Sequence, residues 1–261
     1  MDNMILEIKT VQSTAFRVLT EALKEILTDA NFEFDESGIK IMAMDSSHTV
    51  LVHLKLSAEN FESYHCQNKR ILGINMLNLF KLIKTMGNND ALTLYLEEGN
   101  ESKLGIKIEN SEKNTMTKYM LNLMDLHEDN IQIPPAVFDS VITMPSVDFQ
   151  KICRDMHNLA ENIEIKSLEN QLIFSCSGQF ASQETSIGET NSGLSFVQNQ
   201  NPDEIVQGIF ALKHLVLFSK CTNLCNNIEL YLKNDYPLIL KYQVASLGSI
   251  KLCLAPKCDN E

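Results

Sequence analysis

Eight of the chain's 22 basic residues fall into four pairs: Arg17 and Lys24, Lys81 and Lys84, Lys151 and Arg154, Lys213 and Lys220. The partners are seven, three, three and seven residues apart, spacings that return to roughly the same face of an α-helix. Cations repeated along helical faces are suited to neutralising phosphates. No aromatic residues are interleaved with them and no groove-reading motif accompanies them, so neither base readout nor base stacking is expected. Phosphate contact alone positions a protein on a duplex without fixing a sequence, and it weakens with salt.

Other chemistry is sparse. Asp45-Ser46-Ser47-His48 contains triad-type residues, but within one short turn a nucleophile and its base do not readily align. There is no Walker loop, GxSxG or HExxH. The seven cysteines are Cys66, Cys153, Cys176, Cys221, Cys225, Cys253 and Cys258. No two have CxxC spacing, and no histidine or second cysteine pair lies near Cys221 and Cys225 to complete a zinc set. They read as structural thiols of a reducing compartment. No catalytic residue, cofactor or metal is expected.

The formal net charge is -12, with 34 acidic residues. By its total, that argues against a nucleic-acid binder. The distribution argues otherwise, because residues 75–86 and 209–220 hold basic pairs and no Asp or Glu. If the basic helices line one surface, that surface is positive and the rest of the protein negative. At 261 residues, 44% hydrophobic and 21% charged, the chain is expected to fold as one or two soluble domains. No apolar run approaches the roughly 20 residues that span a bilayer. MDNMILEIKT lacks the features of a signal peptide, so an intracellular protein with no membrane partner is expected.

The basic pairs need helices to hold them. Residues 13–30 place Phe16, Leu19, Leu23, Ile26 and Leu27 on one apolar face. Residues 146–160 do the same with Phe149, Ile152, Met156 and Leu159, with Ser146 as the expected N-cap. A weak repeat joins GINMLNLFKLIKTMGNNDALTLYLEE from Gly73 to GIFALKHLVLFSKCTNLCNNIELYLKND from Gly208, about 135 residues on. Each copy has a helical stretch, an Asn-rich turn and a strand, Leu94-Tyr95-Leu96 or Leu230-Tyr231-Leu232. Segments 39–44, 49–56, 103–109, 170–178 and 237–244 alternate as strands. Helical periodicity vanishes over 126–140, where Pro134 and Pro135 mark a linker, and 179–201 reads as a hairpin or long loop. The class is α+β, a duplicated domain with more strand than helix.

Several motifs resemble the sliding clamp family of proliferating cell nuclear antigen. They are MDSSH at Met44–His48, GIN and the basic stretch at Gly73–Lys84, LMDL at Leu123–Leu126, MPS with FQKICRDM at Met144–Met156, and LAPK at Leu254–Lys257. Their order and spacing match nearly end to end. The resemblance implies the DNA clamp fold: two similar domains, each with two helices packed on antiparallel sheets, closing as a homotrimer into a pseudo-sixfold ring. Expected boundaries are 1–120, a connecting loop over 121–138, and 139–261. The implied activity is that of a processivity factor, which encircles double-stranded DNA without sequence preference and tethers replication and repair proteins. The eight cations match positions or helix faces that the family turns toward DNA, together with Lys9.

Implied partners are a DNA polymerase, a clamp loader and other proteins carrying a Gln-x-x-aliphatic-x-x-aromatic-aromatic peptide. The matching pocket positions are Met44, His48, Leu51, Leu126, Ile131, Ile133, Pro134, Pro237, Cys253, Ala255 and Pro256. Exposed aliphatics and prolines beside an extended loop suit an aromatic anchor. Subunit contacts would pair an edge near Thr115–Leu121 with one near Phe180–Ile187, with Met116, Tyr119, Met156, Phe180 and Ile187 as contact residues.

Departures mark a divergent member, of viral or protist kind. Cys253 stands where the family usually has tyrosine, Glu169 replaces a lysine that serves as ubiquitin acceptor with Lys166 nearby, three residues precede the usual start, and the chain stops soon after LAPK. The expected location is the nucleus for a cellular protein, or the replication site of the infected cell for a viral one. The competing readings are a subunit of a heterotrimeric checkpoint-type clamp and a clamp-fold scaffold that does not encircle DNA.

Overall fold

A computed structural model of the chain describes residues 4–127, 131, 136–200 and 202–257. It divides into two compact units: Met1–Ser46, Val52–Ile131 and Gln243–Ile250 in the first, and Ser47–Leu51, Gln132–Tyr242 and Lys251–Glu261 in the second. The expected linker residues 128–130 and 132–135 lie outside the described residues.

The first half runs β1 (Met4–Thr10), α1 (Ser13–Ile26), β2 (Asp29–Asp35), β3 (Gly38–Met44), β4 (Val50–Ser57), a 3-10 turn (Ala58–Asn60), β5 (Ser63–Cys66) and β6 (Arg70–Asn75). It continues with α2 (Met76–Ile83), β7 (Ala91–Glu97), β8 (Lys103–Asn110) and β9 (Thr115–Asn122). The second half repeats that order as β10 (Ser140–Pro145), α3 (Ser146–His157), β11 (Asn162–Leu168), β12 (Gln171–Ser177), β13 (Ser182–Gly188), β14 (Ser195–Asn199) and β15 (Val206–Ala211). It ends with α4 (Leu212–Phe218), a 3-10 extension (Ser219–Leu224), β16 (Asn227–Leu232), β17 (Leu238–Val244) and β18 (Gly248–Leu254).

Strand pairing is duplicated too. The order β5-β1-β7-β8-β9 corresponds to β14-β10-β16-β17-β18, and β6-β2-β3-β4 to β15-β11-β12-β13. The repeated Leu-Tyr-Leu strands are β7 and β16, each beside the first strand of its half. Alternation sends Ile8, Leu94 and Ile106 of the first half, and Ile163, Ile165, Leu172 and Phe174 of the second, into buried positions. The helices add Phe16, Leu19 and Leu23 from α1 and Phe149, Cys153 and Met156 from α3, all buried. Burying an aliphatic or aromatic side chain of this size contributes about 1.5–3 kcal/mol, so these faces hold the helices to the sheets.

Three expectations change. The first helix stops at Ile26 rather than near residue 30, with Leu27 extended at φ -117° and ψ 136°. The backbone pairs with β6 from Asp29 onward, and that pairing overrides the apolar spacing. Of the basic stretch expected over 209–220, residues 209–211 belong to β15, which leaves the last helix one short stretch and a 3-10 continuation. The polar region 179–201 is neither a simple hairpin nor a loop: β13 pairs with β12, whereas β14 pairs with β10.

Candidate nucleic-acid interface

Buried serines fix the basic helices in pairs. In unit 1, the Ser13 hydroxyl donates to the Gly87 carbonyl at 3.1 Å, just beyond α2. One turn on, Arg17 Nη1 donates to the Met86 carbonyl at 2.6 Å. Unit 2 repeats the device. The Ser146 hydroxyl lies 2.7 Å from the Cys225 carbonyl and 3.0 Å from that of Asn226, while Gln150 Nε2 donates to the Ser219 carbonyl at 2.9 Å. The residue capping α3 is therefore Pro145, and no side chain caps it. Ser146 turns inward instead, its hydroxyl to the Cys225 and Asn226 carbonyls and its N–H to the Asn226 carbonyl at 2.8 Å. At α2, by contrast, the Asn75 carboxamide accepts from the Asn78 N–H at 2.9 Å, an N-cap that sequence reading missed although Asn is a favoured cap residue.

The cations differ in how free they are. Lys81, Lys84, Lys151, Arg154, Lys213 and Lys220 are exposed. No ion pair within the described residues engages any of them. Lys24 is held: its side chain is 16% exposed, pairs with Glu25 and lies 4.9 Å from the centre of the Phe80 ring. Arg17 is half-buried and spends one N–H on Met86, with its other donors remaining. Lys9 stands apart. Alternation along β1 turns it to the sheet face opposite Ile8, in register with Ser63 of β5 and Thr93 of β7. By that alternation it leaves the apolar side on which the helices pack, so it does not join the helical cations.

The peptide-pocket positions divide between the units. In unit 1, Met44 ends β3 half-buried and Leu126 is half-buried. The segment carrying Leu126 crosses β6 at Gly73: the Met124 N–H donates to the Gly73 carbonyl at 2.9 Å, and a Cβ at Gly73 would lie 2.2 Å from the Met124 oxygen. Asn31 Nδ2 then holds the His127 carbonyl at 3.0 Å. Ile131 is half-buried; Ile133 and Pro134 lie outside the described residues.

In unit 2, His48 is exposed with φ 54°, a left-handed conformation that sharpens the turn before β4. Leu51, Pro237 and Pro256 are half-buried and Ala255 is exposed. The Ala255 N–H donates to the Thr49 carbonyl at 3.1 Å and the Lys257 N–H to the Ile209 carbonyl at 2.8 Å, which pins the last described residues along β15. Pro256, Tyr236 and Ile209 border an open cavity of about 790 Å³. Cys253 is buried, and burial pushes its thiol up to about 11, so it stays neutral.

Of the expected subunit-contact residues, Phe180 is 78% and Met116 58% exposed, whereas Tyr119 and Ile187 are half-buried. Met156 is a correction. It is fully buried in its own unit, because its position on α3 faces the core, and it offers nothing to a second chain. β9 and β13, which hold the other four or adjoin them, are both end strands of their sheets. Among the described residues no helix is long and apolar enough to cross a membrane.

Comparison with known proteins agrees with this duplicated architecture. Residues 5–132 match the family model of the proliferating cell nuclear antigen N-terminal domain, and residues 132–257 match that of the C-terminal domain. A relative described as "Probable DNA polymerase sliding clamp 1", from Paramecium bursaria Chlorella virus 1, is 37% identical over 259 residues, covering 98% of each chain.

Proposed function

Because this chain belongs to the proliferating cell nuclear antigen family, we propose that it is a DNA sliding clamp, a homotrimeric ring whose basic helices face an enclosed duplex. The observation that carries the reading is the pair of acid-free stretches around α2 and α4, with four exposed lysines that have no ion pair among the described residues, in a chain of net charge -12. A duplex threaded past them meets phosphate contacts alone. Such contacts carry no sequence information, so the ring holds DNA without a preferred stopping point.

On this reading the chain also serves as a mobile tether. A DNA polymerase, repair proteins and a clamp loader would bring Gln-x-x-aliphatic-x-x-aromatic-aromatic peptides to the positions that the family resemblance implies. The viral relative favours a replication site in an infected cell as the place of action, with the nucleus as the cellular equivalent. The connecting loop, expected over 121–138, would begin only after β9 ends at Asn122 and would join the two domains.

The test combines solution mass with topology-dependent retention. Purified protein should sediment at three times 29.5 kDa. Once loaded, it should remain on closed circular duplex and run off the same DNA after linearisation. A stable monomer, or equal retention on both forms, would reject the ring.

A further inference from the structure

Resting on the homotrimer reading, we propose that an ion pair between Lys118 of one copy and Glu184 of the next sets the register in which neighbouring subunits join. β9 and β13 end their sheets, and each carries a single charged residue: Lys118 in TMTKYMLN and Glu184 in SQETSIG. Both side chains are exposed, and neither enters an ion pair within the described residues.

Each charge ends a cross-strand row whose other charged members share its sign. On the face of the unit 1 sheet opposite Ile8 and Leu94, Lys9, Thr93, Lys107 and Lys118 are successive register partners, with Thr93 buried between the lysines. On the outward face of the unit 2 sheet, Glu164, Ser175 and Glu184 are successive partners. Lys107 and Lys118 sit directly opposite one another, an arrangement that costs stability in a lone sheet. The Lys107 ammonium has Glu109 at 3.1 Å, but Lys118 has no counterion among the described residues. An antiparallel junction with Glu184 opposite Lys118 supplies one, and the lysine row then runs into the glutamate row.

The same register satisfies the pleat. Lys118, Met116 and Met120 share the outward face of β9, and Glu184, Ser186 and Ser182 that of β13. Tyr119 and Thr117 lie on the other face. There they would meet Gln183 and Thr185, which with Asp155 and Ile152 of α3 line a cleft of about 360 Å³. A slip of one residue turns every side chain to the wrong face, so packing alone rejects it. A slip of two residues keeps the faces, but leaves Lys118 opposite Ser182 or Ser186. The ion pair discriminates where packing does not.

The charges also disfavour two-fold pairing. Two β9 edges joined about Lys118 oppose lysines, and two β13 edges joined about Glu184 oppose glutamates. The heterologous β9–β13 contact unites opposite charges, and contacts of that kind are the ones that generate rings.

The test is a charge-swap cycle read by analytical ultracentrifugation: Lys118→Glu, Glu184→Lys and the double variant. Reversing one charge of an exposed cross-strand pair costs about five-fold per contact. With three identical contacts per ring, either single variant should raise the trimer-to-monomer dissociation constant about a hundred-fold, and the double variant should recover to within a few-fold of the unaltered protein. Both residues are exposed, so each variant monomer should keep the unaltered circular dichroism spectrum. Lys118→Gln and Glu184→Gln provide a milder second series. If the unaltered protein is a trimer but the single variants dissociate like it, or the double variant fails to recover, the ion pair is wrong and the ring reading stands. If the unaltered protein is no trimer, the ring reading itself fails.

Discussion

Replacing Lys81 and Lys84 of α2 by glutamine should weaken the hold on circular duplex far more than replacing Lys24 of α1. The difference follows from what each ammonium already touches. Lys81 and Lys84 are exposed and have no ion pair among the described residues, so both are available to release counterions from DNA. Lys24 is 16% exposed and engaged by Glu25 and the Phe80 ring. Each phosphate contact contributes about 0.9 to the slope of log affinity against log salt. Losing both α2 contacts on one engaged subunit should therefore lower the slope by about 1.8, roughly sixty-fold in affinity at 0.1 M salt relative to a 1 M reference. Lys24→Gln should change the slope by about a third of one contact or less, because its charge is largely spent within the chain. The assay is the equilibrium retention of pre-formed rings on nicked circular duplex between about 50 and 200 mM salt, the range over which such contacts change affinity most visibly. Equal slopes for Lys24→Gln and Lys81→Gln, or no change for the α2 double variant, would refute the distinction between free and engaged cations.

Other consequences concern the scaffold. Ser146→Ala removes a buried hydroxyl from the Cys225 and Asn226 carbonyls and should lower stability by about 0.5–1.5 kcal/mol in urea unfolding, without changing the oligomeric state; a loss below about 0.5 kcal/mol would deny the hydroxyl its anchoring role. Lys40 and the Ser37 hydroxyl and N–H hold the Asp35 carboxyl below its ordinary value of 3.8. Its stabilising contribution is therefore complete above that value and is lost as pH falls through the depressed native one, so Asp35→Asn should flatten the acid limb of the stability profile below about pH 4. An unchanged acid limb counts against it. Native-state thiol labelling followed by mass mapping should find half-buried Cys66 and Cys225 before Cys153 and Cys221. Burial raises both latter thiols, Cys221 to about 12. Early labelling of Cys221 would contradict its enclosure.

How much could be read from the sequence depended on whether the deciding interaction was local. The apolar stripes of α1 and α3 and the Leu-Tyr-Leu strands are local patterns, and they appeared where expected. The end of α1 was missed because the pairing of Asp29 with Asn75 is made across 46 residues. β13 was missed because its inward residues are Gln183, Thr185 and Ile187, two of them polar, as an edge strand beside a cleft allows. Ser146 read as a cap because its type and position fit one, while the carbonyls that claim its hydroxyl lie 79 and 80 residues away. Among the cations, side-chain type did not distinguish free from engaged. For Lys24 the neighbouring Glu25 was a visible hint, whereas the Phe80 ring and the Met86 carbonyl that engage Lys24 and Arg17 come from the other half of the repeat unit.

The duplication bears on how the protein would hold DNA. In each unit the first helix carries acids beside its cations, Glu21 and Glu25 on α1 and Asp148 and Asp155 on α3, whereas the second carries none. In each unit, too, the first helix is locked to the end of the second by a buried serine and by a long polar side chain one turn later. The second helix of each unit is thus a rigidly mounted, wholly cationic surface, and the first a mixed one. A duplex held by strong contacts to every helix would be immobilised. Strong contacts at every second helix, separated by weaker ones, keep the phosphate attraction high while leaving small barriers between neighbouring positions. Placing acids on α2, for example Asn78→Asp, should therefore shorten residence on circular DNA, whereas removing the acids of α3 with Asp148→Asn and Asp155→Asn should lengthen residence and slow diffusion along the duplex. Single-molecule tracking separates the two quantities, and faster diffusion of the α3 variant would overturn the division of roles between the helices.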